Sequence, residues 1–258
     1  VRRWLLRRRR QAAIVPGDRW SPLPGRGTTA EPLEIGGLAV THRSFGVTAA
    51  GAGLNGARTG RVDVVDVVDT PSGPRALIGT VEAAGTAGRS TAAALVTAFR
   101  AGAGEAALPD VAVALDAALS RAGGDPAAAP VLMVEVRPQG DVTVVNCGHP
   151  EPLLLFAGHG AIPLRTTRGT APLGRRPQPA GDEYHLQRGE AVFCFTSGVT
   201  EVRGDHGAVF DVVSRCRTAV GERLDAMAVA DCVFADLFVH CHGAVERDAS
   251  LLLLQRLH

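Results

Sequence analysis

Residues 61–81 read RVDVVDVVDTPSGPRALIGTV. The valine-rich run 61–69, with Asp63, Asp66 and Asp69 set into it, reads as a strand. Pro71-Ser72-Gly73-Pro74 is turn chemistry, and Arg75–Val81 is a second run rich in β-formers. The stretch therefore predicts a β-hairpin, the seed of a sheet.

Outward from the hairpin the pattern changes twice. From Gly88 to about Ala103 the chain is rich in Ala, Leu and Thr without an internal Pro, which predicts a helix. A second helix is expected from Pro109-Asp110, with Asp110 as its cap and Val111, Leu115, Ala118 and Leu119 on one face. Then sheet returns. VLMVEV (131–136) and VTVVN (142–146) flank the turn Arg137–Asp141, and strands follow at 153–157, 183–187 and 191–196. Helices are expected near 207–219 and between Arg223 and His240, and ASLLLLQRL (249–257) reads as a buried closing strand. On the other side, 37–41 predicts a short strand and 51–60 a loop. Strands, two central helices, more strands, a helix and a last strand make an α+β order, without the regular strand–helix alternation of a doubly wound sheet.

Composition narrows the function classes. Hydrophobic residues make up 46% and charged residues 21%, a globular balance. All 27 basic residues are arginine, and six lie in the first ten positions, VRRWLLRRRR; the other 248 residues carry 21 arginines against 26 acidic residues, net −5. The body is thus mildly acidic, which argues against nucleic acid as a partner. Residues 1–36, Arg-rich and then Pro/Gly-rich, are expected to form a flexible arm ahead of a domain at 37–258. The arm has the charge for weak peripheral contact with an anionic membrane, but Trp4-Leu5-Leu6 is too short to span one. Five scattered cysteines with no CxxC suit a reducing, cytoplasmic setting.

Three motifs are weighed and set aside. Gly51-Ala52-Gly53-Leu54-Asn55-Gly56 spells GxGxxG, yet a strand rather than a helix follows, so no helix N-terminus is offered to a pyrophosphate. Cys232, His240, Cys241 and His242 do not share a helix face, so zinc is not expected. Ser197, His149 and Asp248 lack the GxSxG elbow of a serine hydrolase.

Five separated segments carry a resemblance. They are Arg61–Val67; Ala76–Gly85; Val145–Pro150 with Ala171–Gly174; Phe195–Glu201; and Arg247–Leu253. In order and spacing they resemble the metal-dependent serine/threonine protein phosphatases of the bacterial sporulation-stage-II and stress-regulator class. That class reads GGDxxD, GDxxGxG, NAGHxP, PLG, TDGxTE and DD[AV]TLL. The resemblance implies two packed antiparallel β-sheets flanked by helices, an α-β-β-α sandwich. It also implies action on phosphoserine or phosphothreonine proteins, through two Mg²⁺ or Mn²⁺ ions held by aspartates at strand ends. Paired divalent ions need several carboxylates to offset their mutual repulsion.

Carried over by position, Asp63 is the first aspartate of GGDxxD. Asp66 matches the second and, three residues along a strand, faces the other way. The aspartate after Gly79 is Thr80 here, that of TDG is Ser197, and the first of the terminal pair is Arg247, with Asp248 retained. Arg61 and Val62 replace the two glycines before Asp63. Asn146, Gly148, His149, Pro150, Gly174, Gly198, Thr200 and Glu201 all match. Three of four expected metal carboxylates are replaced, one by a cation that stays protonated. Two readings stay open. In one, the domain is impaired or inactive, needs no cofactor, and binds a phosphorylated regulatory protein, with Arg247 facing phosphate and paired with Asp63 or Asp66. In the other, a shifted carboxylate among Asp66, Glu82, Asp248 and Glu201 restores Mn²⁺ or Mg²⁺ and activity. In both, Asp63, Thr80, Ser197 and Arg247 are expected at one end of the sandwich.

Overall fold

A computed structural model describes residues 31–45, 60–83, 85–104, 106–121, 128–243 and 247–257. Along the chain, β1 (Leu33–Ile35) and β2 (Leu38–Phe45) form one antiparallel pair, and β3 (Val62–Val68) and β4 (Arg75–Val81) another. Helices α1 (Gly85–Gly102) and α2 (Leu108–Arg121) pack on each other. They are followed by β5 (Val131–Val136), β6 (Asp141–Cys147), β7 (Leu153–Phe156), β8 (Gly160–Pro163), β9 (Gly181–His185) and β10 (Ala191–Phe195). The short α3 (Ser197–Thr200), α4 (Val212–Ala219), α5 (Ala226–His240) and the closing β11 (Ala249–Arg256) complete the order.

The strands form two antiparallel sheets. One runs β1-β2-β11-β10-β7-β8 and the other β3-β4-β5-β6-β9. Strand parity sorts their side chains into three apolar layers. Val65, Val67, Ile78, Leu132, Val192, Leu252 and Leu254 fill the space between the sheets. Val64, Leu77 and Met133 meet Leu95, Phe99 and Leu115 of α1 and α2. Phe193, Leu251 and Leu253 meet Val229, Val233 and Leu237 of α5. The result is helix, sheet, sheet, helix. Runs such as Leu251–Leu254 are apolar throughout because both faces of the strand are covered.

Several expectations shift. The first sheet begins at Leu33, inside the segment assigned to the arm, because Leu33–Ile35 pairs with Leu38–Val40. Residues 1–30 of that arm and the GxGxxG stretch at 51–56 lie outside the described residues. Helix α2 starts at Leu108, so Asp110 stands in its first turn rather than at its cap. Pro109 tolerates the first helical turn, and Asp110 still opposes the positive end of the helix dipole there. The helix expected from 207 begins at Val212, capped by Asp211, whose carboxylate accepts from the Ser214 N–H. Strand β8 was not expected, since GAIP is short and ends in proline.

Candidate functional site

The four strand ends nearest Asp63 belong to both sheets. Asp63 enters β3 and faces the space between the sheets, opposite Thr80 near the end of β4. Thr196 follows β10, and Ser250 lies in β11 of the other sheet. All three hydroxyls donate to the one carboxylate: Thr80 Oγ1 to Oδ1 at 2.8 Å, Thr196 Oγ1 to Oδ2 at 2.8 Å and Ser250 Oγ to Oδ2 at 2.9 Å. The Thr196 hydroxyl in turn accepts the Ser250 backbone N–H at 3.0 Å. Asp63 is 3% exposed, and burial pushes its carboxyl up to about 6 although the three hydroxyls pull it down; Asp248 adds a smaller upward push. Desolvation outweighs neutral hydrogen bonds because none of them brings a positive charge.

Around this cage runs a charged rim. Arg61 donates from one terminal nitrogen to Glu201 Oε2 at 2.7 Å and from the other to Glu82 Oε1 at 3.1 Å. Arg247 also donates to Glu201 Oε2. The expected pairing of Arg247 with Asp63 or Asp66 is therefore corrected: Asp63 is enclosed by hydroxyls, and Glu201, at the end of α3, is the carboxylate Arg247 meets. Asp66 belongs to the opposite face of β3, as its spacing predicts. It is fully buried there, and Arg100 of α1 grips it side-on, with Nε at 2.8 Å and a terminal nitrogen at 3.3 Å.

The remaining motif residues shape the same end of the fold. Gly79 sits opposite Val64 in the β3–β4 ladder. Gly198 has no room for a side chain, since a Cβ would lie 1.9 Å from the Asp248 carbonyl oxygen. Gly148 adopts φ +73°, a left-handed turn favouring glycine. Asn146 clamps that turn, with Oδ1 accepting the His149 N–H at 2.8 Å and Nδ2 donating to the His149 carbonyl at 2.9 Å. The buried His149 ring bonds the Pro150 carbonyl through Nδ1, leaves Nε2 without a partner, and burial lowers its pKa to about 4. It contacts neither Ser197 nor Asp248 by hydrogen bond, so no hydrolase triad forms. The zinc motif disperses likewise: His240 bonds the Ala208 carbonyl, His242 meets Asp205, and Cys241 donates to the Phe238 carbonyl.

Sequence reasoning brought Asp63, Thr80 and Arg247 to one end, with Ser197 next to Thr196, but did not single out Thr196 and Ser250. The signal was present in strand parity: Thr196 shares the inward phase of Val192 and Cys194, and Ser250 that of Leu252 and Leu254. The five cysteines are all free; four are buried and Cys232, on α5, is exposed.

The donor set does not fit a paired-ion centre. Asp63 already accepts three hydrogen bonds, Thr80 and Ser197 offer neutral oxygens, and the carboxylates of Glu82 and Glu201 are engaged by arginines. Among the described residues no group of three His, Cys, Asp or Glu could hold a metal ion. Nor is any helix among them long and apolar enough to cross a membrane.

Residues 72–257 match the family described as stage II sporulation protein E (SpoIIE). No curated protein sequence matches the chain. Among solved structures, the RsbU and RsbW domains of Rv1364c from Mycobacterium tuberculosis superpose with TM-score 0.70 at 19% identity, over 88% of this chain and 63% of that one. The SiaA-PP2C domain of Pseudomonas aeruginosa gives TM-score 0.61 at 17% identity, over 78% of this chain and 81% of that one. The phosphatase domain of the cell fate determinant SpoIIE from Bacillus subtilis gives 0.55 at 13% identity, over 87% and 95%. At these identities the likeness is one of fold: the sandwich is that of the metal-dependent phosphatases.

Proposed function

The chain belongs to the SpoIIE family, and from that premise we propose that it is a phosphatase-fold module that recognises a phosphorylated regulatory protein without hydrolysing it. The observation that carries the reading is the caged carboxylate. Asp63, the one retained aspartate of the four, spends its oxygens on Thr80, Thr196 and Ser250. With no paired ions, no water is activated to attack phosphorus, whereas Arg61 and Arg247 remain at the rim as groups suited to phosphate. The free thiols fit a cytoplasmic setting.

The competing reading, a metal-dependent phosphatase with a rearranged site, rests on Asp248, which lies close enough to Asp63 to raise its pKa. Of the remaining candidates, Asp66 meets Arg100, Glu82 meets Arg61, and Glu201 meets both Arg61 and Arg247.

Calorimetric titration of the full chain with Mn²⁺, alongside phosphopeptide turnover, separates the two. The module reading expects neither tight two-ion binding nor metal-dependent phosphate release, and observing both overturns it. Thr80→Asp, Ser197→Asp and Arg247→Asp together should introduce Mn²⁺ binding, while each alone does little, because two adjacent ions need the full carboxylate set.

A further inference from the structure

The rim holds an arrangement that the module reading does not by itself require. The Arg61 and Arg247 guanidiniums aim at the same atom, Oε2 of Glu201. Two like charges are thus drawn together over one carboxylate oxygen, and each carrier is two or three residues from the Asp63 cage. Arg61 precedes Asp63 by two, Arg247 precedes Ser250 by three, and Glu201 ends the short helix that starts one residue after Thr196.

We infer that Glu201 is a built-in stand-in for the ligand: its carboxylate occupies the seat that a phosphorylated serine or threonine of the partner takes, and binding requires Glu201 to swing out. The inference rests on the phosphoprotein reading and says how its site is regulated. A phosphomonoester carries nearly two negative charges and three acceptor oxygens, whereas the carboxylate carries one charge and shares one oxygen between two forks. Two convergent guanidiniums therefore suit the phosphoryl group better than the residue that holds them.

The displacement is physically cheap. The side chains of Arg61, Glu201 and Arg247 are 28%, 34% and 46% exposed, so the departing carboxylate moves into water, and ion pairs open to solvent on one side are held less firmly than enclosed ones. Arg61 keeps its second contact, to Glu82, and stays oriented while Glu201 leaves. Arg75 and Glu135 make the contrast. At 7% and 4% exposure, with Arg75 also donating to the Ala103 and Ala106 carbonyls, that pair is locked and structural.

The test uses the full chain and, as probes, a peptide library with a fixed phosphoserine between degenerate flanks, its unphosphorylated counterpart, and inorganic phosphate. Glu201→Gln should tighten phosphoserine-library binding by about tenfold, the gain from removing a competitor seated some nine-tenths of the time. The shorter Glu201→Asp should tighten it in the same direction, which covers the case in which the glutamine variant folds poorly. Arg61→Gln with Arg247→Gln should abolish binding. Wild-type binding that neither Glu201 variant tightens overturns the stand-in and leaves the module reading intact. Binding that survives loss of both arginines puts the seat elsewhere and also overturns it. No binding by any variant overturns both. Inorganic phosphate binding as tightly as the phosphoserine library, with the Glu201 effect present, supports the stand-in and overturns the phosphoprotein partner.

Discussion

Two aspartates three residues apart on β3 solve the same problem in opposite ways. Asp66 is fully buried against α1 and is met by a charge, the Arg100 guanidinium. Asp63 is 3% exposed between the sheets and is met by three neutral hydroxyls. The residue type, the strand and the burial are shared; only the face differs. A guanidinium supplies the countercharge that burial demands, whereas hydroxyls supply geometry without charge, and burial leaves Asp63 strained as an anion. In a phosphatase the countercharge between the sheets would come from metal ions. Hydroxyls from both sheets meet at the Asp63 carboxylate and pin the sheets together there.

The strongest way to break that comparison is pH. Asp63 has its folded pKa near 6 against an ordinary value of 3.8, so the fold binds its proton more tightly than the unfolded chain does. Its stabilising contribution is complete below about pH 4 and is lost as pH rises to about 6, a loss of about 3 kcal/mol. Denaturant titrations at pH 4, 5, 6 and 7 should show the stability of the wild type falling relative to that of Asp63→Asn as pH rises. Parallel profiles would contradict it. The buried His149 and the half-buried His42, the latter beside Arg43, are both lowered to about 4 and act in the reverse sense: their neutral forms lose stability as pH falls from 6.5 toward 4. The wild-type profile is thus flattened by opposing terms, and Asp63→Asn should expose the histidine slope.

Next in size is the charged partner. Arg100→Met leaves Asp66 buried without its cation and should cost about 2–3 kcal/mol, below the full penalty for a buried pair because Arg100 is itself 36% exposed. A urea midpoint unchanged within error would show that Asp66 does not depend on it. Smaller again, Thr80→Val removes one of three donors from Asp63 and should cost about 1–2 kcal/mol at neutral pH. It should also push the Asp63 transition higher, since a hydrogen bond favouring the anion is gone, and the midpoint of the pH component reads this directly. The smallest effect belongs to the rim. Glu201→Gln should change stability by less than about 1 kcal/mol, because exposed ion pairs contribute little; a larger loss of melting temperature would mean the rim is structural.

Much of this was legible in residues 61–81. Alternation placed Asp63 and Asp66 on opposite faces, and the hairpin, the two helices and the second group of strands followed in order. What could not be read was pairing across long separations. Arg247 finds Glu201, 46 residues away, and Asp63 finds Ser250, 187 residues away. Strand parity gives Ser250 its inward face but not its partner, and charge complementarity alone offered Arg247 Asp63 or Asp66. The short strands β1 and β8 escaped for another reason: three or four residues hold too few alternations to stand out from loop, and tertiary pairing creates them.

The distribution of thiols makes the molecule its own reporter. Cys147 and Cys216 are buried and raised to about 12, Cys194 is raised further, and Cys241 is also buried and raised, so the reactive thiolate is scarce at all four. Cys232 alone faces solvent from α5. An alkylating dye should therefore mark the native chain once, on the helix layer remote in sequence from the Asp63 hairpin, and mark the denatured chain five times. Counting labels by mass spectrometry would follow opening of the sandwich molecule by molecule, without an engineered probe.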